Sequence, residues 1–331
     1  MKPVPEQIQG IRGSVNGYKL SQILMSVEQI GVFESMSRGL SHINDLASDI
    51  GVPTNKLAIL LNVLAGSGLI AKNDKSYYFA EDFSTLNPTH PASQNGYIQY
   101  ATEVRNRWLG LTQSVQGIDV GKENFGEITG RDKAATQAFM AAMHANAHSQ
   151  AIFIAKEYDF EGHHILDVGA GTGIYSTQVI QTYQNTSAVL LDLPDVVPIT
   201  EEYVEKSEVA KQIQVVPANY HDGLPLEQFD DLFMFAVIHQ ESDEEALSLL
   251  RKAHSVLRPG GRLFLTSFFL NEERTEPPFS AMFAVEMLVM VAGGKAYTHD
   301  EIKNLLTAAN FAKTKRVDKI PGPATLYIAT K

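Results

Sequence analysis

Leu166-Asp167-Val168-Gly169-Ala170-Gly171-Thr172-Gly173 is the stretch on which the fold turns. An apolar run, Ile165–Val168, leads into three glycines spaced G-x-G-x-G, and a helical pattern begins near Ile174. Glycine tolerates positive φ and lets a backbone approach a ligand closely. Strand, glycine turn and helix in that order make the ligand-binding corner of a doubly wound sheet.

Dinucleotide folds favour G-x-G-x-x-G, which sets a helix N-terminus on a pyrophosphate. Here the spacing differs, and the acid Asp167 precedes the loop. S-Adenosylmethionine carries an ammonium and a sulfonium but no phosphate, so a carboxylate suits it better. The next apolar run ends at Leu190-Leu191-Asp192-Leu193-Pro194. An acid at that strand end can accept from both ribose hydroxyls. That holds for NAD as well, so Asp192 points to a nucleoside without choosing one.

Working outward, apolar runs recur at Ala188–Leu191, Ile213–Val216, Leu232–Val237 and Leu263–Leu270, with helical spacers between them. This alternation predicts a parallel sheet covered by helices on both faces. A last strand is expected at Thr325–Thr330, after Pro321-Gly322-Pro323. Residues 161–331 are therefore assigned to one α/β domain.

Residues 1–95 follow another plan. Leu20, Ile23, Leu24, Val27, Ile30 and Phe33 fall mostly at three-residue steps, giving a helix with one apolar face. A helix capped by Ser41 follows, then a turn at Gly51-Val52-Pro53-Thr54, and a helix over about Asn55–Ser67. Leu69–Ala71 and Tyr77–Phe79 flank a polar turn and read as a hairpin. Helix, turn, helix and hairpin make a winged-helix plan. Residues 1–95 hold seven Lys/Arg against eight Asp/Glu, and the second helix carries only Lys56. DNA binding needs a basic face, so a contact role is expected instead. Residues 96–160 read as helical and are expected to link the two domains and contribute to the substrate pocket and dimer.

The 331-residue chain has a net charge of -11, which disfavours nucleic acid as a partner. It has no cysteine, which excludes disulfides, thiolate metal sites and cysteine nucleophiles. No metal-binding motif is apparent. Neither a secretory signal nor a bilayer-spanning run is seen, so a cytoplasmic protein away from the membrane is expected.

The ordered series of motifs resembles the small-molecule O-methyltransferases of the plant caffeate and acetylserotonin type, with their bacterial relatives. The matching segments are Leu166–Gly173, Leu191-Asp192-Leu193-Pro194, Phe235-Ala236-Val237-Ile238-His239-Gln240, Leu257–Leu263 and Gly293-Gly294-Lys295-Ala296-Tyr297-Thr298. The resemblance implies a Rossmann-like seven-stranded methyltransferase sheet with one antiparallel strand. It also implies an N-terminal winged-helix dimerisation domain, and hence a homodimer. S-Adenosylmethionine is the implied cofactor and S-adenosylhomocysteine the product. It implies cofactor contacts at Gly169, Gly171, Asp192, Asn219 and Tyr220, and Asp167, Gly173, Leu193 and Phe235 are expected to join them. The family usually has Asp where this chain has Asn219.

Methyl transfer from a sulfonium is an in-line displacement and needs an electron-rich acceptor. His239, after the fourth apolar strand, is the expected general base. The family flanks this histidine with two glutamates, and Ser267 and Ala296 stand at the matching positions here. Glu241 or His144 could assist instead. Trp108, Phe125, Met140, Met143, His144, Met282, Phe283 and Met287 are the expected substrate pocket, with Phe279 and Met290 nearby. Deformable methionines suit a planar aromatic or polyketide-like acceptor. Three alternatives stand beside this one: C-methylation on the same fold, an NAD-dependent oxidoreductase, and a winged-helix regulator with a ligand-sensing domain.

Overall fold

The computed structural model describes residues 3–90, 93–118 and 133–331. The chain divides into two compact units, Met1–Glu103 and Val104–Lys331.

In the larger unit, hydrogen bonding orders the strands β5-β4-β3-β6-β7-β9-β8. These are β3 (His164–Val168), β4 (Ser187–Asp192), β5 (Ile213–Pro217), β6 (Phe229–Phe235), β7 (Leu257–Ser267), β8 (Lys313–Val317) and β9 (Thr325–Thr330). β9 runs antiparallel to both neighbours, and the other pairs are parallel. The seven strands with one antiparallel member match the sheet that the family resemblance implies. Its central strands are buried nearly throughout because helices cover both faces. Successive side chains alternate between two cores. Leu166 and Val168 join one, with Leu232, Met234 and Tyr327; Ile165 joins the other, with Phe160, Phe233 and Phe264.

Strand order reverses between β3 and β6. In such sheets the crevice at that reversal, beyond the carboxyl ends of the strands, is where ligands bind. The glycine loop leaves β3 there, Asp192 ends β4, and His239 follows β6.

The smaller unit contains the helices Val4–Asn16, Tyr18–Gln29, Val32–Ser37, Ile43–Asp49 and Thr54–Gly66, then the hairpin of β1 (Ile70–Asn73) and β2 (Ser76–Phe79). Its core gathers Val27, Phe33, Leu46, Leu57, Leu61, Leu64 and Tyr77. One detail differs from expectation. The Ile43–Asp49 helix is capped by the His42 side chain, which accepts from the Asn44 N–H, and not by Ser41. The helical pattern through Phe33 breaks in two at Gly31, whose φ of +85° sets the N-cap of the next helix. The Val4–Asn16 helix buries none of its residues.

Candidate active site

The glycine loop is shaped by what surrounds it. Gly169 has φ +67°, and a Cβ there would lie 2.7 Å from Val237 Cγ2. Gly173, at φ +71°, would drive a Cβ into Leu190. Gly171 has room for a side chain, with Met140 Sδ at 3.7 Å, but its φ of +58° is left-handed. The Gly171 N–H donates to Asp192 Oδ2 at 2.7 Å, and the Leu193 N–H donates to Oδ1 at 2.8 Å. The Thr200 hydroxyl donates to the Gly171 carbonyl at 2.6 Å.

Two acids flank the loop. Asp167 accepts from the Ser176 hydroxyl at 2.7 Å, and burial pushes its carboxyl up to about 7. Burial raises Asp192 to about 6 against the lowering effect of its two backbone donors. Both acids sit near the point of ionising at neutral pH, where a cationic neighbour would favour the charged form.

The helix Lys133–Glu157 brings His144 to the loop, where its Nδ1 lies 2.8 Å from Thr172 Oγ1. The His144 ring packs at a tilt against Tyr203, with centroids 4.6 Å apart. Met140, one turn earlier, is buried with Val196 and Ile199 and packs with Leu193 and Tyr203. Asn219 Oδ1 accepts from the His221 N–H at 2.9 Å, an Asx turn that fixes the amide. The Tyr220 hydroxyl donates to Glu241 Oε1 at 2.6 Å. Phe235 is buried under Tyr175, with ring centroids 4.0 Å apart.

His239 lies in the single turn Ile238–Gln240, reached from β6 through Ala236 at φ +56°. It is buried, and its Nδ1 is 3.2 Å from the Ser267 hydroxyl. Burial lowers its pKa to about 4, so the ring is neutral at pH 7. Phe283 meets it edge-on at 4.8 Å, and Phe268 stacks at 6.2 Å. Glu241 and His144 form no hydrogen bond with His239; Glu241 is committed to Tyr220 and lies 3.5 Å from His221 Nε2.

The apolar pocket residues divide. Trp108, Phe283 and Met287 share one cluster with Met290 and Leu111. Met140 belongs to the cluster under the loop, and Met143 is half-buried on the same helix. Met282 and Phe279 are exposed. Phe125 lies outside the described residues. Sequence reasoning missed Ser176, Thr200, Tyr203 and Phe268, because each acts through a tertiary partner and belongs to no motif. Among the described residues no group of three or more His, Asp or Glu is placed to hold a metal. No helix among them is long and apolar enough to cross a membrane.

Residues 110–312 match the O-methyltransferase domain family. The chain belongs to this family. It is an S-adenosylmethionine-dependent O-methyltransferase, which sets aside the oxidoreductase and the ligand-sensing regulator. Along 93% of its length it is 24% identical to the mitomycin biosynthesis 6-O-methyltransferase of Streptomyces lavendulae, covering 90% of that protein. The solved structure of PigF with S-adenosylhomocysteine superposes with a TM-score of 0.89 at 20% identity, covering 98% of this chain and 99% of that one. Human N-acetylserotonin methyltransferase with S-adenosylmethionine gives 0.85 at 20% identity, covering 100% and 98%. At such identities the structural likeness speaks for the fold.

Proposed function

We propose that this chain methylates a hydroxyl of a small, planar aromatic or polyketide-like acceptor, with His239 as general base. The observation that carries the proposal is the neutral, buried imidazole of His239, set among aromatic rings on the rim that also holds the glycine loop. When bound, S-adenosylmethionine supplies a methyl group on a positively charged sulfur. The residues that would hold it are Asp167, Gly169, Gly171, Gly173, Asp192, Leu193, Asn219, Tyr220 and Phe235. The buried Asp192 carboxylate is held at both oxygens by backbone donors and keeps lone pairs for ribose hydroxyls. The fixed Asn219 amide keeps its N–H₂ and one oxygen lone pair for a purine edge.

His239 takes the acceptor hydroxyl proton, leaving the oxygen electron-rich. Its depressed pKa makes it a weak proton holder, so the acceptor that suits it is an acidic phenol or enol. The Ser267 hydroxyl orients Nδ1, a role that supports the ring without the charge of a carboxylate. Phe268, Phe283 and Met287, with Trp108, Met140, Met143 and His144, offer an apolar surface for a flat ring. Two similar proteins are named for such acceptors, a 3-amino-4-hydroxybenzoate 4-O-methyltransferase and a phenazine O-methyltransferase.

The test is turnover of an acceptor by wild type and His239→Ala. We expect kcat to fall by about 100-fold or more with S-adenosylhomocysteine affinity intact. Full turnover in the variant would remove His239 from the base role.

We further propose that residues 1–95 form a winged-helix dimerisation domain and that the protein is a homodimer. Val4, Ile8, Ile11 and Val15 fall at i, i+4, i+7 and i+11 and stand exposed along one face of their helix. A second copy of the chain would cover such a stripe.

A further inference from the structure

The helix Pro278–Met290 carries one charged residue, Glu286. Its neighbours on the helix surface are Met282 and Phe283 on one side and Met290 on the other, at three- and four-residue spacings, with Phe279 a further turn away. None can donate a hydrogen bond. Glu286 forms no hydrogen bond or ion pair with a described residue. Burial alone raises its pKa, with no compensating partner.

Its position ties it to His239. Phe279 and Phe283 both pack on Phe268, at 5.0 and 4.6 Å, and Phe268 and Phe283 are the two rings against His239. Glu286 thus lies on the helix face that supplies the aromatic wall of the proposed acceptor site. Removing a carboxylate from water without a partner is unfavourable, and a cation offsets that cost more than a neutral donor does. Elsewhere in this unit, buried Asp231 has Arg262 and half-buried Glu301 has Arg274 and Lys295, whereas buried Asp167 and Asp192 have hydroxyl or backbone donors. The described residues supply neither a cation nor a hydrogen-bond donor to Glu286.

We propose that Glu286 is a specificity residue whose carboxylate pairs with a cationic amine on the acceptor, so that the acceptor is an aromatic alcohol bearing a basic nitrogen. This inference rests on the reading of the site as a phenol or enol methyltransferase.

The probes are tyramine and 4-ethylphenol, which differ by the amine. Each is titrated by calorimetry into protein saturated with S-adenosylhomocysteine. Wild type is expected to bind tyramine at least tenfold more tightly. In Glu286→Gln the two affinities come within about twofold of each other, with 4-ethylphenol unchanged; Glu286→Asp, which keeps the charge, retains most of the preference. Equal affinities in wild type, undetectable tyramine binding, or a preference that survives in Glu286→Gln would overturn the proposal. The preceding S-adenosylhomocysteine titration separates the two ideas. A wild type that does not bind it loses the methyltransferase reading itself. Binding without an amine preference removes only the role of Glu286.

Discussion

At His239 the fall in pKa to about 4 has one cause, burial, and its hydrogen-bond partner among the described residues is the neutral Ser267 hydroxyl. A glutamate there, as the family resemblance implies, would hold the imidazolium and raise the value. This has a kinetic consequence. The acid limb of the pH profile of kcat/KM should break near pH 4, well below the 6.5 of an ordinary histidine. A profile measured from pH 4 to 9 on an acceptor that does not itself titrate below 7 checks this; a break near 6.5 would show an imidazole that is not desolvated. The same shift bears on stability. The unfolded ring protonates near 6.5 and the folded ring near 4, so the unfolded state binds more protons between those values. The stabilising contribution of neutral His239 is complete above 6.5 and is lost as pH falls toward 4. The residue itself was legible in the sequence, because it follows the β6 motif. Its electrostatics were not, since Phe268 and Phe283 approach it from separate elements.

Among the elements, the central strands were legible because burial on both faces leaves continuous apolar runs. β8 was not: four of its five residues, Lys313-Thr314-Lys315-Arg316, are exposed at the sheet edge, so no alternation marks them. The Val4–Asn16 helix also went unrecognised, its apolar stripe facing none of the smaller unit's core. The glycine loop was the clearest element, and the structure adds a division of labour. Gly169 and Gly173 are required by contact as well as by φ, whereas Gly171 is required by φ. Gly173→Ala is therefore expected to cost roughly 2–4 kcal/mol, combining strain and overpacking against Leu190. Gly171→Ala, with strain alone, is expected to cost about 1–2 kcal/mol. Urea unfolding of both variants checks the order; equal losses would mean that Leu190 moves aside freely.

For the whole molecule, sheet order places loop, acid and histidine on one rim, and that convergence was foreseeable from the alternation of strands and helices. The acceptor was not foreseeable, because the residues proposed for its pocket lie on the helices Lys133–Glu157 and Pro278–Met290, which carry no fixed motif. The exposed stripe of the N-terminal helix makes assembly testable at this scale. Light scattering should give twice the 36.4 kDa of the chain, and Ile11→Asp should shift the mass toward the monomer. A monomeric wild type at micromolar concentration would contradict the homodimer.

The most direct test of the central claim is a titration of S-adenosylhomocysteine into wild type and Asp192→Ala, with NAD as the comparison. The account predicts one-site binding to wild type, at least a tenfold loss in Asp192→Ala, and no heat from NAD. Binding of NAD without S-adenosylhomocysteine, or an Asp192→Ala variant as tight as wild type, would contradict it.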